Sequence, residues 1–121
     1  MSRDLLPPAP LRIDVRPDRE RVLVCPTGEI DLETAPTVQS VIVQLIESGF
    51  ARVVVDMSGV TFLDSTGVRT LLAAHRRACE LGAGVSLILG SSVARATLEI
   101  AGALDRLDLE DGPSRTVSDV T

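Results

Sequence analysis

Apolar and polar positions alternate first with a period of two, then with a helical period. In 11-LRIDV-15 every second residue is apolar, the pattern of a strand with one buried face. Arg16 to Glu20 (RPDRE) predict a turn, and Arg21 to Cys25 a second short strand, so the pair predicts a hairpin. Pro26 and Gly28 are expected to end it. The period then changes. Val38, Val41, Ile42, Leu45 and Ile46 fall on one helical face, Pro36 suits a first-turn position, and Gly49 is a natural stop. The three successive valines of 52-RVVVDM-57 predict a strand buried on both faces. A second helix is predicted from Ser65 to Leu81, with Val68, Leu71, Leu72, His75 and Cys79 inward and Gly82 as its end. Val85 to Leu89 predict another buried strand. Ser91 and Ser92 can cap a third helix running through Val93, Ile100 and Ala101. Leu104, Leu107 and Leu109 suit a short helix or an edge strand.

The predicted order is β-β-α-β-α-β-α, an α/β fold in which helices pack on a mixed central sheet. With 121 residues, one domain is expected over residues 11–110, with a Pro-rich lead-in at 1–10 and a tail at 111–121.

Composition narrows the chemistry. Aromatics are 2% of the chain, so stacking on nucleic-acid bases has little to work with. The net charge of -5 disfavours non-specific binding to nucleic acid. All 12 basic residues are arginine, which excludes a Schiff-base lysine and a phosphate-loop lysine. No apolar run is long enough for a membrane span, and MSRDLLPPAP has no signal-peptide apolar region, so a cytoplasmic protein is expected. Cys25 and Cys79 lack metal-ligand spacing and sit in apolar contexts, so buried free thiols are expected and no metal or cofactor is. Neither GxGxxG nor GxxxxGK[ST] occurs.

Candidate catalytic groups fail one by one. The single histidine, His75, lies ten residues from Ser65 on one predicted helix, about 15 Å away, so the two cannot form a local nucleophile-base pair. Asp56 ends a strand as a receiver-domain phosphoacceptor does, but the lysine that such chemistry needs is missing, and a turn cap with Ser58 and Gly59 is expected instead. The tetrapeptide Asp64-Ser65-Thr66-Gly67 is capping chemistry, with Asp64 or Ser65 receiving a free N–H. A serine at that junction is also exposed at an electropositive helix end, where another enzyme could reach it. The charge changes sign there. Residues 29–64 hold six acids against Arg52, whereas residues 65–97 hold four arginines against Glu80.

Three segments together resemble one family: 28-GEIDLETAP-36, 53-VVVDMSGVTFLDSTGVRTLLAAHRRA-78, and the Gly90-Ser91-Ser92 turn with 93-VARATLEIAGALDRL-107. Over about residues 11–110 the chain is similar to STAS domains of the anti-sigma factor antagonist type. The resemblance implies a small α/β fold without catalysis. It implies binding to an anti-sigma factor with serine kinase activity, which frees a sigma factor. It implies phosphorylation of Ser65 by that kinase, with loss of affinity, and reversal by a phosphatase. Asp31, Asp64, Thr66 and Gly67 map to partner-binding positions; Arg69, one turn on, is added for its expected exposure. STAS domains that are never phosphorylated, in transporters or stress complexes, are the alternative class, and a small-ligand module using loops at strand ends is a third.

Overall fold

The computed structural model describes residues 11–90 and 93–110. The segments read as lead-in and tail, and the serine cap at Ser91 and Ser92, lie outside them. Among the described residues the order is β1 (Leu11–Asp18), β2 (Arg21–Ile30), α1 (Ala35–Glu47), β3 (Arg52–Asp56), a 3-10 turn (Met57–Gly59), β4 (Val60–Leu63), α2 (Ser65–Glu80), β5 (Gly84–Ile88), α3 (Val93–Ile100), a second 3-10 turn (Leu104–Arg106) and β6 (Asp108–Leu109). The expected α/β order holds, with two short strands added.

The sheet is mixed. Its order is β1-β2-β3-β5-β6, with β4 beside β2 off that path. β1 and β2 form the expected antiparallel hairpin, and every other pairing is parallel. The valine run explains the centre. Val53 and Val55 face the helices, Val54 faces the other way, and all three are fully buried. The main core joins Val22, Val24, Val53, Val55, Val85 and Leu87 of the sheet to Val38, Ile42 and Ile46 of α1, Leu71, Ala74 and Ala78 of α2, and Ala94 and Leu98 of α3. The opposite face carries a smaller cluster of Leu23, Val54 and Ile88. There Glu110 gathers the strands: its carboxylate meets Arg21 at 3.3 Å, pairs with Arg52, and accepts the Ser86 hydroxyl at 2.5 Å.

The hairpin departs from expectation at both ends. β1 runs to Asp18, so the turn is only Arg19–Glu20. β2 does not stop at Pro26 but continues to Ile30. The reason lies in its parallel neighbours. Residues 21–24 pair with β3 and residues 28–30 with β4, and the 3-10 turn fills the interval. A Cβ added at Gly59 would lie 3.2 Å from the Pro26 carbonyl oxygen, so that carbonyl faces the turn rather than β1. Pro26 therefore sits where the ladder asks for no N–H. Gly28 takes φ 121 at the register shift that follows, a bulge that re-aims Glu29 and Ile30.

One helix, α2, is rotated from expectation. α2 buries Gly67, Val68, Thr70, Leu71, Ala74 and Ala78. His75 is half-buried, and Cys79 is exposed rather than buried. Small residues bring α2 close to its neighbours, so the bulkier Leu72, His75 and Cys79 lie along its flank. α3 buries Ala94 and Leu98, while Val93 is 50% and Ile100 89% exposed. The last leucines divide between a 3-10 turn and the two-residue β6.

Candidate functional site

The register of β2 and β4 builds the site. Ile30 and Leu63 are direct partners on adjacent parallel strands. Each is followed by an aspartate, Asp31 or Asp64, so both aspartates leave adjacent strands at the carboxyl end of the sheet. Adjacent strands lie about 4.8 Å apart. The Asp64 N–H donates to the Ile30 carbonyl at 3.3 Å, which ties the two chain segments together.

Asp64 is the N-cap of α2. Its extended backbone (φ -103, ψ -175) lets Oδ1 accept the Gly67 N–H at 2.9 Å. This decides between the two expected caps and makes Ser65 the first helical residue. Ser65 is exposed, and no hydrogen bond among the described residues engages its hydroxyl. The N–H groups of Ser65 and Thr66 also find no acceptor among the described residues. An exposed hydroxyl thus stands beside two free donors and the positive end of a 16-residue helix.

Gly67 is fixed by packing, not by φ. A Cβ there would fall 2.4 Å from Leu63 Cδ1, 3.0 Å from Ile30 Cγ2 and 3.2 Å from the Ile30 carbonyl oxygen. Only glycine lets the first turn of α2 sit this close to the end of β2. Arg69 is exposed and reaches back to Thr66, its Nη2 donating to Oγ1 at 3.4 Å.

The Asp31 loop is held as firmly. Asp31 Oδ1 accepts the backbone N–H of Glu33 at 3.0 Å and of Thr34 at 3.1 Å. Buried Thr34 closes the loop: its hydroxyl donates to the Glu29 carbonyl at 2.8 Å and accepts the Asp31 N–H at 2.9 Å. The Asp31 carboxyl is held below its ordinary range, chiefly by the Thr34 N–H. Desolvation pulls the other way, and the Glu33 N–H and Thr34 hydroxyl add to the lowering. The structure therefore brings Asp31, Asp64, Ser65, Thr66 and Gly67 to one corner, with Arg69 one turn along α2.

Two residues here were missed by the sequence. Leu32 is 71% exposed next to Asp31, and Phe62 is 46% exposed on β4 opposite Glu29. For Leu32 the signal was a large apolar residue flanked by acids in IDLE; for Phe62, next to buried Leu63, the local sequence carried none.

The competing groups stay apart. Asp56 caps the 3-10 turn as expected, accepting the Ser58 N–H at 3.0 Å and its hydroxyl at 2.6 Å. His75 Nε2 lies 3.2 Å from Asp108 Oδ2 at the sheet edge. Burial, aided by Asp56 and Asp14 against Arg16, pushes the half-buried Cys25 thiol up, which disfavours a reactive thiolate. Among the described residues no His, Cys, Asp and Glu cluster could hold a metal, and no helix is long and apolar enough to cross a membrane. The larger surface hollows, of about 440 and 380 Å³, are lined by residues such as Arg19, Arg21 and Arg52 or Ile46, Phe50 and Leu81. They lie at the other end of the sheet from Ser65.

A family model of the STAS domain matches residues 12–119. The chain belongs to the STAS domain family. No curated protein matches it by sequence. Its fold is similar to that of several solved proteins. An anti-sigma factor antagonist from Mycobacterium paratuberculosis is 23% identical with TM-score 0.76, over 96% of this chain and 98% of that one. The anti-sigma factor antagonist SpoIIAA in its unphosphorylated form is 19% identical with TM-score 0.70, over 90% and 96%. The murine anion transporter Slc26a9 is 18% identical with TM-score 0.66, over 81% of this chain but 17% of the transporter.

Proposed function

We propose that this STAS domain is a non-catalytic, cytoplasmic anti-sigma factor antagonist whose binding is switched by phosphorylation of Ser65. One observation carries this reading: Asp64 takes the capping role, which leaves the adjacent Ser65 hydroxyl exposed and unengaged at the helix end. The partner is an anti-sigma factor with serine kinase activity. Its binding releases a sigma factor, and a phosphatase restores the unmodified serine. Asp31, Asp64, Ser65, Thr66, Gly67 and Arg69 form the contact corner, with Leu32 supplying apolar area at its rim.

The switch is local electrostatics. An unmodified serine at the first helical position lies flush in an interface and leaves the corner's charge unchanged. A phosphoryl group adds roughly -1.5 to -2 charges at neutral pH. Within this chain it is tolerated, because the free Ser65 and Thr66 N–H groups and the helix dipole face it. Within a complex it brings a doubly charged group out of water, next to Asp31 and Asp64, and repels any acidic group of the partner. Each 1.4 kcal/mol so lost costs about tenfold in affinity. No change of fold is required.

Incubation with the cognate kinase and ATP, followed by site mapping with mass spectrometry, tests the assignment. Phosphate on Ser65 supports it, and phosphate on other residues only, or on none, defeats it. The likeness to part of the anion transporter Slc26a9 supports a second reading, an accessory subunit of a transporter or stress complex with no kinase partner. That reading expects a bound complex indifferent to Ser65→Asp.

A further inference from the structure

β1 is an edge strand with a pattern the switch does not use. Among the described residues it pairs with β2 alone. Its backbone polarity follows from two facts. The hairpin closes through a two-residue turn between the partners Asp18 and Arg21, which makes that pair hydrogen-bonded. The Pro26 carbonyl faces away from β1, which makes Ile13 and Pro26 a non-hydrogen-bonded pair. Both give the same alternation along the unbroken register. Arg12, Asp14, Arg16 and Asp18 bond to β2, while Ile13, Val15 and Pro17 turn their backbone groups outward. Pro17 therefore costs the hairpin no hydrogen bond, and the outer row offers N–H groups at Leu11, Ile13 and Val15 beside free carbonyls.

The side chains add a code. On the face away from the helices β1 reads Arg12, Asp14, Arg16, Asp18, alternating in sign. Asp14, Val15, Arg16, Pro17 and Asp18 are exposed. Arg12, Asp14 and Arg16 have no ion pair among the described residues, and Asp18 holds Arg21 at 3.3 Å through one oxygen only.

We propose that β1 is a self-pairing edge, by which two copies of this chain join antiparallel about Val15 into a continuous twelve-stranded sheet, twice the six strands of one copy. In that register Asp14 of each copy faces Arg16 of the other, and Arg12 faces Asp18. Val15, 41% exposed in the single chain, meets its own copy. The Val15 N–H donates to the Val15 carbonyl of the second copy, and the Ile13 N–H to its Pro17 carbonyl, each bond made twice by symmetry. The charged residues fall at the non-hydrogen-bonded positions, where side chains approach most closely. Neighbouring registers are rejected. Pairing about Asp14 sets Arg12 against Arg16 and Asp14 against itself; pairing about Arg16 sets Asp14 against Asp18. The contact is isologous and consumes the edge, so it closes as a dimer. Among the described residues the opposite edge is the two-residue β6, too short to propagate the sheet. The twofold axis points the two Ser65 corners in opposite directions, so both stay open.

Sedimentation equilibrium on the full chain over a concentration series tests this. The wild type should dimerise, less strongly as salt rises. Arg16→Asp sets a carboxylate against Asp14 of the second copy, and Asp14→Arg sets a guanidinium against its Arg16. Each should raise the dimer dissociation constant by about tenfold or more. An equimolar mixture of the two variants should restore dimers as heterodimers, since every facing pair is again opposite in sign. Both substitutions lie at exposed positions, and an unchanged thermal melt certifies the fold. A wild type that stays monomeric at millimolar concentration overturns the proposal. So does a dimer indifferent to either reversal, or a mixture that fails to associate. None of these outcomes depends on Ser65 or on a kinase.

Discussion

Gly67→Ala probes the close approach on which the whole corner depends. The added Cβ would lie 2.4 Å from Leu63 Cδ1 and 3.2 Å from the Ile30 carbonyl oxygen. Leu63 is 4% exposed and Ile30 fully buried, so neither can swing into solvent. The Ile30 carbonyl is moreover held by the Asp64 N–H at 3.3 Å. Overpacking of this kind costs about 1–3 kcal/mol. Alanine returns up to about 1 kcal/mol of helix propensity, less so close to a helix end. The net expectation is a loss of about 1–2 kcal/mol, read by urea denaturation followed by circular dichroism. Gly84→Ala is the control. A Cβ there meets nothing within 4 Å, and its backbone does not need glycine, so stability should change by less than about 1 kcal/mol. A Gly67→Ala protein as stable as the wild type would refute the packing argument and with it the reason a glycine follows Asp64-Ser65-Thr66.

Three further outcomes are expected. Asp64→Ala should cost about 0.5–2 kcal/mol by urea denaturation, whereas Asp64→Asn, which keeps an accepting oxygen, should cost a few tenths; equal losses would remove the capping role. Asp31→Asn should be less stable than the wild type at neutral pH. Because the folded-state pKa of Asp31 is lowered, its contribution is present above the ordinary carboxylate range and is lost as pH falls through the folded value. The gap between the two proteins, followed by denaturation across acid pH, should therefore close as pH drops below about 4, and a gap that widens contradicts the loop geometry. Leu98→Ala should cost about 2–5 kcal/mol and Ile100→Ala less than about 0.5, since Leu98 is fully buried and Ile100 is 89% exposed; the reverse order would mean α3 packs by its other face.

What the sequence revealed, and what it hid, divides by how local the cause is. The α1 face, the doubly buried valines and a cap at Asp64 or Ser65 follow from residues within a few positions of each other, and they are legible. β4 is not, because four residues after a 3-10 turn become a strand only by pairing with the far half of β2. The same pairing explains why Pro26 can lie inside a strand and why Asp31 and Asp64 emerge together. No periodicity shows that juxtaposition, although the resemblance of GEID and DSTG to STAS motifs pointed to both aspartates. The rotation of α2 was hidden for another reason. A pattern of apolar residues weighs Cys79 and Leu72 above Gly67, Ala74 and Ala78, yet close packing prefers the small ones. The exposure of Leu32 and Phe62 likewise depends on tertiary neighbours rather than on the local pattern.

The direct test of the proposed Ser65 switch is the affinity of the anti-sigma factor expected as partner for four forms of this protein: unmodified, phosphorylated on Ser65, Ser65→Ala and Ser65→Asp. Isothermal titration should give nearly equal affinity for the unmodified and alanine forms, and at least about tenfold weaker binding for the phosphorylated form, with aspartate between. Equal affinity for all four would contradict the electrostatic switch at the head of α2.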